Sequence, residues 1–221
     1  MPAKILTICN QKGGSGKTTA TMQLAASFAR RGLGVLVVDA DPQGTATRWA
    51  ACAPDEKPFP ASVVGLAATG GKVHREVAKF VDKYDLILID CPPAADSPIP
   101  QSALLVSDVA LVPLVPSPLD LWASVGIREV IALMSDTNEA LVARLLLNQA
   151  QPQQNLTREI LDVLGEFGIP LCQTRWGQRT AFRQSSAWGG SVFDLDNKIA
   201  VSEVNGLTDE LEILLQLKKP N

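Results

Sequence analysis

One stretch constrains this chain more than any other: the apolar run ILTIC (5–9), the glycine-rich segment NQKGGSGKTT (10–19), and the helix-like TTATMQLAASFARR (18–31) follow each other without a gap. A buried strand that opens through glycines into a helix brings successive backbone N–H groups and the positive helix end to one point, which suits an anion. With Lys17 and Thr18 completing Gly-Lys-Thr, the pattern predicts a cradle for a nucleotide triphosphate. Lys17 is placed to reach the β and γ phosphates. The Thr18 hydroxyl is placed to ligate Mg²⁺.

The rest of the chain repeats the same rhythm. VLVVD (35–39), LILID (86–90), VALVPLV (109–115) and LLLN (145–148) are apolar on every residue or nearly so, as strands buried on both faces are. Helical spacing appears in SALLVSD (102–108), SVGIREVIALMSD (124–136) and LTREILDVLGEF (156–167). The expected fold is therefore α/β: one domain over residues 1–221, a mostly parallel twisted sheet with helices on both faces. ACAPDEKPFPAS (51–62), AADSPIP and PSPLD read as loops, the last two at strand ends, where open parallel sheets hold ligands.

Composition narrows the partners. The chain has 221 residues, 46% hydrophobic, with a net charge of -3, so no global positive field draws it to nucleic acid and any DNA binding must be local. No apolar run approaches the roughly 18–20 residues of a membrane span, and the N-terminus lacks a leader pattern, which predicts a cytoplasmic protein. The four cysteines form no CxxC pair and are expected to be reduced and mostly buried. His74 is the only histidine and is expected at the surface.

The loop departs from the general pattern G-x-x-x-x-G-K-[ST] in one way: Gln11 stands where the first glycine belongs, and a second lysine, Lys12, follows. The segment Lys12-Gly13-Gly14-Ser15-Gly16-Lys17-Thr18-Thr19 resembles the deviant Walker A box of the ParA/MinD ATPases. VLVVDADPQ resembles that family's switch I, and YDLILIDCPP its Walker B strand and switch II. The resemblance implies ATP and Mg²⁺ as ligands, bound by residues 12–19, with Lys12 crossing a nucleotide-sandwich homodimer to the partner subunit's phosphates. It further implies that Asp39 and Asp90 hold waters of the Mg²⁺ shell, that Asp41 positions the attacking water, and that Asn148 hydrogen-bonds adenine. A carboxylate of ordinary acidity is a weak base, so a slow ATPase is expected.

Beyond Asn148 the resemblance thins. Arg175, Arg179 and Arg183 recur every four residues and would form a basic stripe on a continuous helix, although Gly177 is expected to delay the helix start and leave Arg175 in a loop. Such basic residues in the family bind DNA without sequence preference. About three phosphate contacts per protomer would cost a dimer roughly 10³ in affinity between 50 and 200 mM salt. Trp176 and Trp188 are expected to pack rather than to stack on bases. The tail LTDELEILLQLKKPN carries Asp209, Glu210 and Glu212 and gains charge of the opposite sign only at Lys218 and Lys219, so it is expected to dock on its own core and no membrane partner is expected. No winged-helix segment precedes ILTIC, as in short ParA-type proteins. The implied protein is a partition or positioning ATPase on the nucleoid, stimulated by a ParB-like or cargo-adaptor partner. The alternatives are a MinD-like membrane regulator and an enzyme like the nitrogenase iron protein, for which Cys91 would be a cluster ligand.

Overall fold

The computed structural model describes residues 2–93, 97–151 and 158–217. Six strands form one sheet in the order β3-β2-β4-β1-β5-β6, with every pairing parallel. They are β1 (Lys4–Ile8), β2 (Val35–Asp39), β3 (Ser62–Gly65), β4 (Leu86–Asp90), β5 (Val109–Leu114) and β6 (Val142–Leu147). The α-helices among the described residues are α1 (Lys17–Arg30), α2 (Thr45–Ala51), α3 (Val73–Val77), α4 (Pro98–Leu104), α5 (Pro118–Trp122), α6 (Val125–Ser135), α7 (Arg158–Glu166), α8 (Thr180–Ala187) and α9 (Lys198–Leu214).

Alternation along each strand divides the core in two. Leu6, Ile8, Val35, Val37, Leu86 and Leu88 face a layer built from α1, α2, α8 and α9. Their neighbours Ile5, Cys9, Leu36, Val38, Ile87 and Ile89 face the layer of α3, α4, α5, α6 and α7. Both faces are covered, which is why these strands read as continuous apolar runs.

Register matters most at the carboxyl ends. Ile8 pairs with Asp90, and Asp39 pairs with the same Asp90, so the start of the glycine-rich loop and both carboxylates stand on one level. Three expectations need correction. PSPLD is not a loop but the start of α5, and AADSPIP runs into α4 at Pro98; Ala94–Asp96 lie outside the described residues. Both helices begin with Ser as N-cap and Pro in the first turn, where a missing N–H costs nothing. The helix expected over 102–108 consequently begins earlier and ends at Leu104.

Candidate active site

The phosphate loop leaves β1 and enters α1 through Gly16, whose φ of 89° lies in the left-handed region. A Cβ there would come within 2.2 Å of Asn148 Nδ2, so position 16 tolerates no side chain. At Gly13 and Gly14 a Cβ would meet open space, and these two glycines form the exposed lip of the cradle. Ser15 Oγ is buried and lacks a hydrogen-bond partner. An orphaned hydroxyl costs free energy unless a ligand oxygen completes it, and a phosphate fits.

Lys17 is only 6% exposed, and its Nζ donates to Lys12 O at 3.1 Å, folding back over the loop. Burial lowers its pKa, against the opposing fields of Asp90, Cys91, Asp41 and Cys9. Thr18 Oγ1 donates to Asp90 Oδ2 at 2.7 Å, and Thr21 Oγ1 donates to the other carboxylate oxygen at 3.3 Å. Hydroxyl and carboxylate oxygens in this arrangement are the hard donors that Mg²⁺ takes. Among the described residues no group of three or more His, Cys, Asp or Glu side chains could hold a metal by itself.

Asp39 is 1% exposed and does structural work besides. Its Oδ1 accepts from Asp41 N, while Oδ2 accepts from Thr47 N at 2.8 Å and Thr47 Oγ1 at 2.9 Å, pinning the turn that leads into α2. Asp41 is half-buried, with Oδ1 accepting from Gln43 N at 2.9 Å, and its charge is felt at Lys17 and Asp90. Thr19 is half-buried at the first turn of α1. Asn148 is buried at the end of β6, where Nδ2 donates to Ser15 O at 2.8 Å and Oδ1 accepts from Gln149 N. Its amide fastens the loop to the sheet, a contact that the expected adenine role did not include.

The arginines do not form one helical stripe. Arg175 lies in the loop before α8, Arg179 is the N-cap of that helix, and only Arg183 lies within it. Arg179 is also engaged: its guanidinium donates to both carboxylate oxygens of Glu203 on α9. Arg175 and Arg183 are exposed and make no ion pair among the described residues. Arg179 and Arg183 further line a cleft beside the loop together with Gly16, Thr19, Asn148 and Phe182, so they border the glycine-rich loop as well as the surface. Trp176 packs as expected, fully buried and stacked on Phe182 with ring centroids 5.1 Å apart. Trp188 is half-buried.

The sequence from residue 6 to 185 matches the family described as the CobQ/CobB/MinD/ParA nucleotide binding domain. The chain belongs to this family. Among ParA/MinD-type relatives, it is 34% identical to the "Maintenance of carboxysome distribution protein A" of Halothiobacillus neapolitanus over 93% of this chain and 95% of that one. It is 30% identical to the chromosome-partitioning ATPase Soj of Thermus thermophilus, over 64% of this chain and 66% of that one. The fold is shared with a Cyanothece McdA–ATP complex at a TM-score of 0.74 and 17% identity, covering 99% of this chain and 98% of that one.

Other expectations resolve at the level of packing. Leu207 and Leu211 of α9 and its capping residue Leu215 are fully buried in the core, so this tail docks on its own domain; Lys218 and Lys219 lie outside the described residues. No described helix is long and apolar enough to cross a membrane. Cys9, Cys91 and Cys172 are buried and Cys52 is exposed, all four free. Burial raises the Cys91 thiol well above its ordinary pKa, which keeps it a protonated thiol in the ligand-free chain. His74 is half-buried on α3 and bonded to Ser102 through Nδ1 at 2.8 Å.

Four residues at this site were not singled out by their sequence: Asn10, Asp120, Ser124 and Gln149. Asn10 Oδ1 accepts from Lys12 N at 3.0 Å, while Nδ2 donates to Pro113 O and Ser124 Oγ. Gln149 Nε2 donates to Gly14 O at 2.8 Å. Asp120 Oδ1 lies 3.4 Å from Lys12 Nζ. The Ser-x-x-Asp spacing of Ser117 and Asp120 was the available signal for α5, since it marks a helix start.

Asp90 sets a pH dependence. Burial, with help from Asp39 and Asp41, raises its carboxyl to about 7 against Thr18 and Lys17, which lower it. Between its ordinary value of 3.8 and about 7 the folded chain keeps a proton that the unfolded chain has released. Stability of the ligand-free protein therefore falls as pH rises through that window. Asp90→Asn is expected to remove this slope, so that its stability relative to the native protein rises by roughly 1–3 kcal/mol between about pH 5 and about pH 7.5. Urea unfolding at the two pH values reads it, and an equal gain at both would contradict the assignment.

Proposed function

We propose that this chain is an ATP-dependent positioning ATPase that pairs as an ATP-sandwich dimer, binds nucleoid DNA without sequence preference, and releases it after partner-stimulated hydrolysis. The observation that carries the reading is the second lysine. Lys17 is enclosed by its own loop, whereas Lys12 stands on the open side, its side chain 42% exposed and tied to the protein by an ion pair of 3.4 Å. Two facing triphosphates concentrate negative charge in one interface. A cation lent in trans offsets that charge only when both copies are loaded, so ATP becomes the dimerisation switch.

Residues 13–19 would cradle the phosphates, and Asn148, beside the cleft next to the loop, would meet the base. Mg²⁺, when bound, neutralises charge on the transferring phosphoryl group. Thr18 and Asp90 would hold its side of the site, with Asp39 behind them. Asp41 would orient the attacking water, and slow turnover follows because orientation is most of what it supplies. The exposed Arg175 and Arg183 are the side chains best suited to DNA phosphates, with Arg179 contributing less because Glu203 shares its charge. The relative named for carboxysome distribution and the partitioning ATPase Soj support cargo positioning, with a plasmid, mobile element, chromosome region or protein assembly as the cargo and a ParB-like or adaptor protein as the stimulating partner.

The test is the Asp41→Ala protein, which is expected to bind ATP, stop hydrolysing it and run as a dimer on size exclusion. Its retention on DNA should fall steeply, roughly 100-fold or more between 50 and 200 mM salt if four arginines of the dimer make contact. Adding Lys12→Ala should return it to a monomer that still binds nucleotide. A loaded Asp41→Ala protein that stays monomeric at high concentration would overturn the reading.

A further inference from the structure

β6 is the last strand on its side of the sheet, and only part of its outer edge is covered. Leu145 N donates to Pro170 O, Leu145 O accepts from Cys172 N, and Leu147 O accepts from Trp176 N, so residues 170–176 close the second half of that edge. Val142 N turns the other way and donates to Asp108 O. Main-chain direction alternates along a strand, so Ala143 aims its N–H outward as Leu145 does. No hydrogen-bond partner meets that N–H among the described residues.

Beside this open stretch lies a pocket of about 400 Å³ between α6, the start of β6 and the turn at residues 167–170. Its floor is apolar: Ile131, Leu141 and Phe167 are buried, and Ile169 packs against the same layer. Two half-buried arginines border it, Arg128 from α6 and Arg144 from β6. Each spends one nitrogen on a main-chain carbonyl at 2.8 Å, Arg128 on Glu166 O and Arg144 on Ala143 O. Neither makes an ion pair among the described residues, and no described Asp or Glu lines the pocket.

We propose that this pocket binds an extended acidic segment of a partner protein. The segment sets a main-chain carbonyl on Ala143 N–H, a large apolar side chain on the floor, and flanking carboxylates on Arg128 and Arg144. Both charged groups here and the free edge group are donors, so what they lack is a set of acceptors. Strand addition supplies one from the backbone, and the pocket beside the edge selects the side chain. Charge selects the partner further. The chain carries a net charge of -3, so an acidic segment is repelled by most of the molecule and drawn to the two guanidiniums that no carboxylate offsets. A free apolar acid brings a single carboxylate, whereas two arginines and an edge N–H are matched by several acceptors spaced along an extended backbone.

The position has a consequence for the nucleotide cycle. Residues 141–144 lie at the amino end of a parallel strand, whereas Asp39 and Asp90 stand at the carboxyl ends of theirs. A partner held at β6 leaves the phosphate loop uncovered, so it stays bound with or without nucleotide.

The probe is a fluorescein-labelled peptide, Glu-Leu-Glu-Phe-Glu-Leu-Glu, read by anisotropy on the full chain with Mg²⁺ and ADP and compared with the same peptide carrying Lys for every Glu. The variant Arg128→Glu/Arg144→Glu is measured beside the native chain, and binding of a fluorescent ATP analogue reports that it is folded. The expected result is binding of the acidic peptide alone, weakened about 30-fold or more in the variant, with nucleotide affinity within about twofold of native. The Ala143 amide resonance is expected to shift when the peptide is added, as a new hydrogen bond to its N–H requires. Should the double variant lose nucleotide binding, Arg128→Gln and Arg144→Gln are read instead, each expected to weaken the peptide about fivefold. Equal binding of the basic peptide, full affinity in the arginine variants, or an unmoved Ala143 resonance would each overturn the proposal. Decanoate is the last arm: if it binds with the same arginine dependence and the acidic peptide does not, the pocket takes a free acid and the partner segment is refuted.

Discussion

Lys17→Ala is expected to lower nucleotide affinity about 10³-fold, the scale seen when one member of a buried, hydrogen-bonded charge pair is truncated. The side chain sits almost out of solvent, with burial lowering its pKa and only the carboxylates Asp90 and Asp41, with the two thiols, opposing that shift. Without ligand its ammonium donates to the Lys12 carbonyl. That contact holds the charge over the cradle at a cost in solvation already met by folding, so an arriving phosphate gains the full interaction. Removing the amine leaves the phosphate facing backbone N–H groups and the helix end alone, which contribute less. Calorimetric titration with ATP and Mg²⁺ reads the effect, and an affinity within tenfold of native would remove Lys17 from the site.

The second large effect is on the fold. Gly189→Ala is expected to destabilise by about 3–5 kcal/mol, adding overpacking to left-handed strain. Gly189 has φ 77°, and a Cβ on it would lie 2.1 Å from Ala53 N and 2.6 Å from the Cys52 carbonyl carbon. Those atoms are backbone just after α2 and cannot rotate away. The junction is tied again by Trp49 Nε1, which donates to Gly190 O at 2.9 Å. Both termini of this contact belong to proposed working parts: α2 follows the Asp39–Asp41 segment, and α8 carries Arg183. Chemical denaturation of the ligand-free variant measures the loss; a change under about 1 kcal/mol would mean that the two segments separate easily.

The layers and the phosphate loop were legible because burial on two faces and a cradle of glycines leave strong local traces. β3 left none. Ser62–Gly65 is a four-residue edge strand, exposed at both ends, following a proline-rich stretch that reads as loop. Asp39 and Asp90 could be read as strand-end acids, but not as residues already occupied by Thr47 and Thr18. Asp120 was invisible as a site residue, because its role depends on Lys12, far away along the chain. The arginines were legible in part: Gly177 announced the late helix start that leaves Arg175 in a loop, whereas the grip of Glu203 on Arg179 comes from another element and left no local trace.

Because β1, β2 and β4 end level with one another, the carboxylates of Asp39 and Asp90 have no independent means of adjustment. Deleting one residue from LILI would not merely retract Asp90; the alternation of the strand would send its side chain beneath the sheet, into the opposite oily layer. Variation in length is therefore confined to the connections, and the strands themselves act as fixed rulers for the chemistry at their tips.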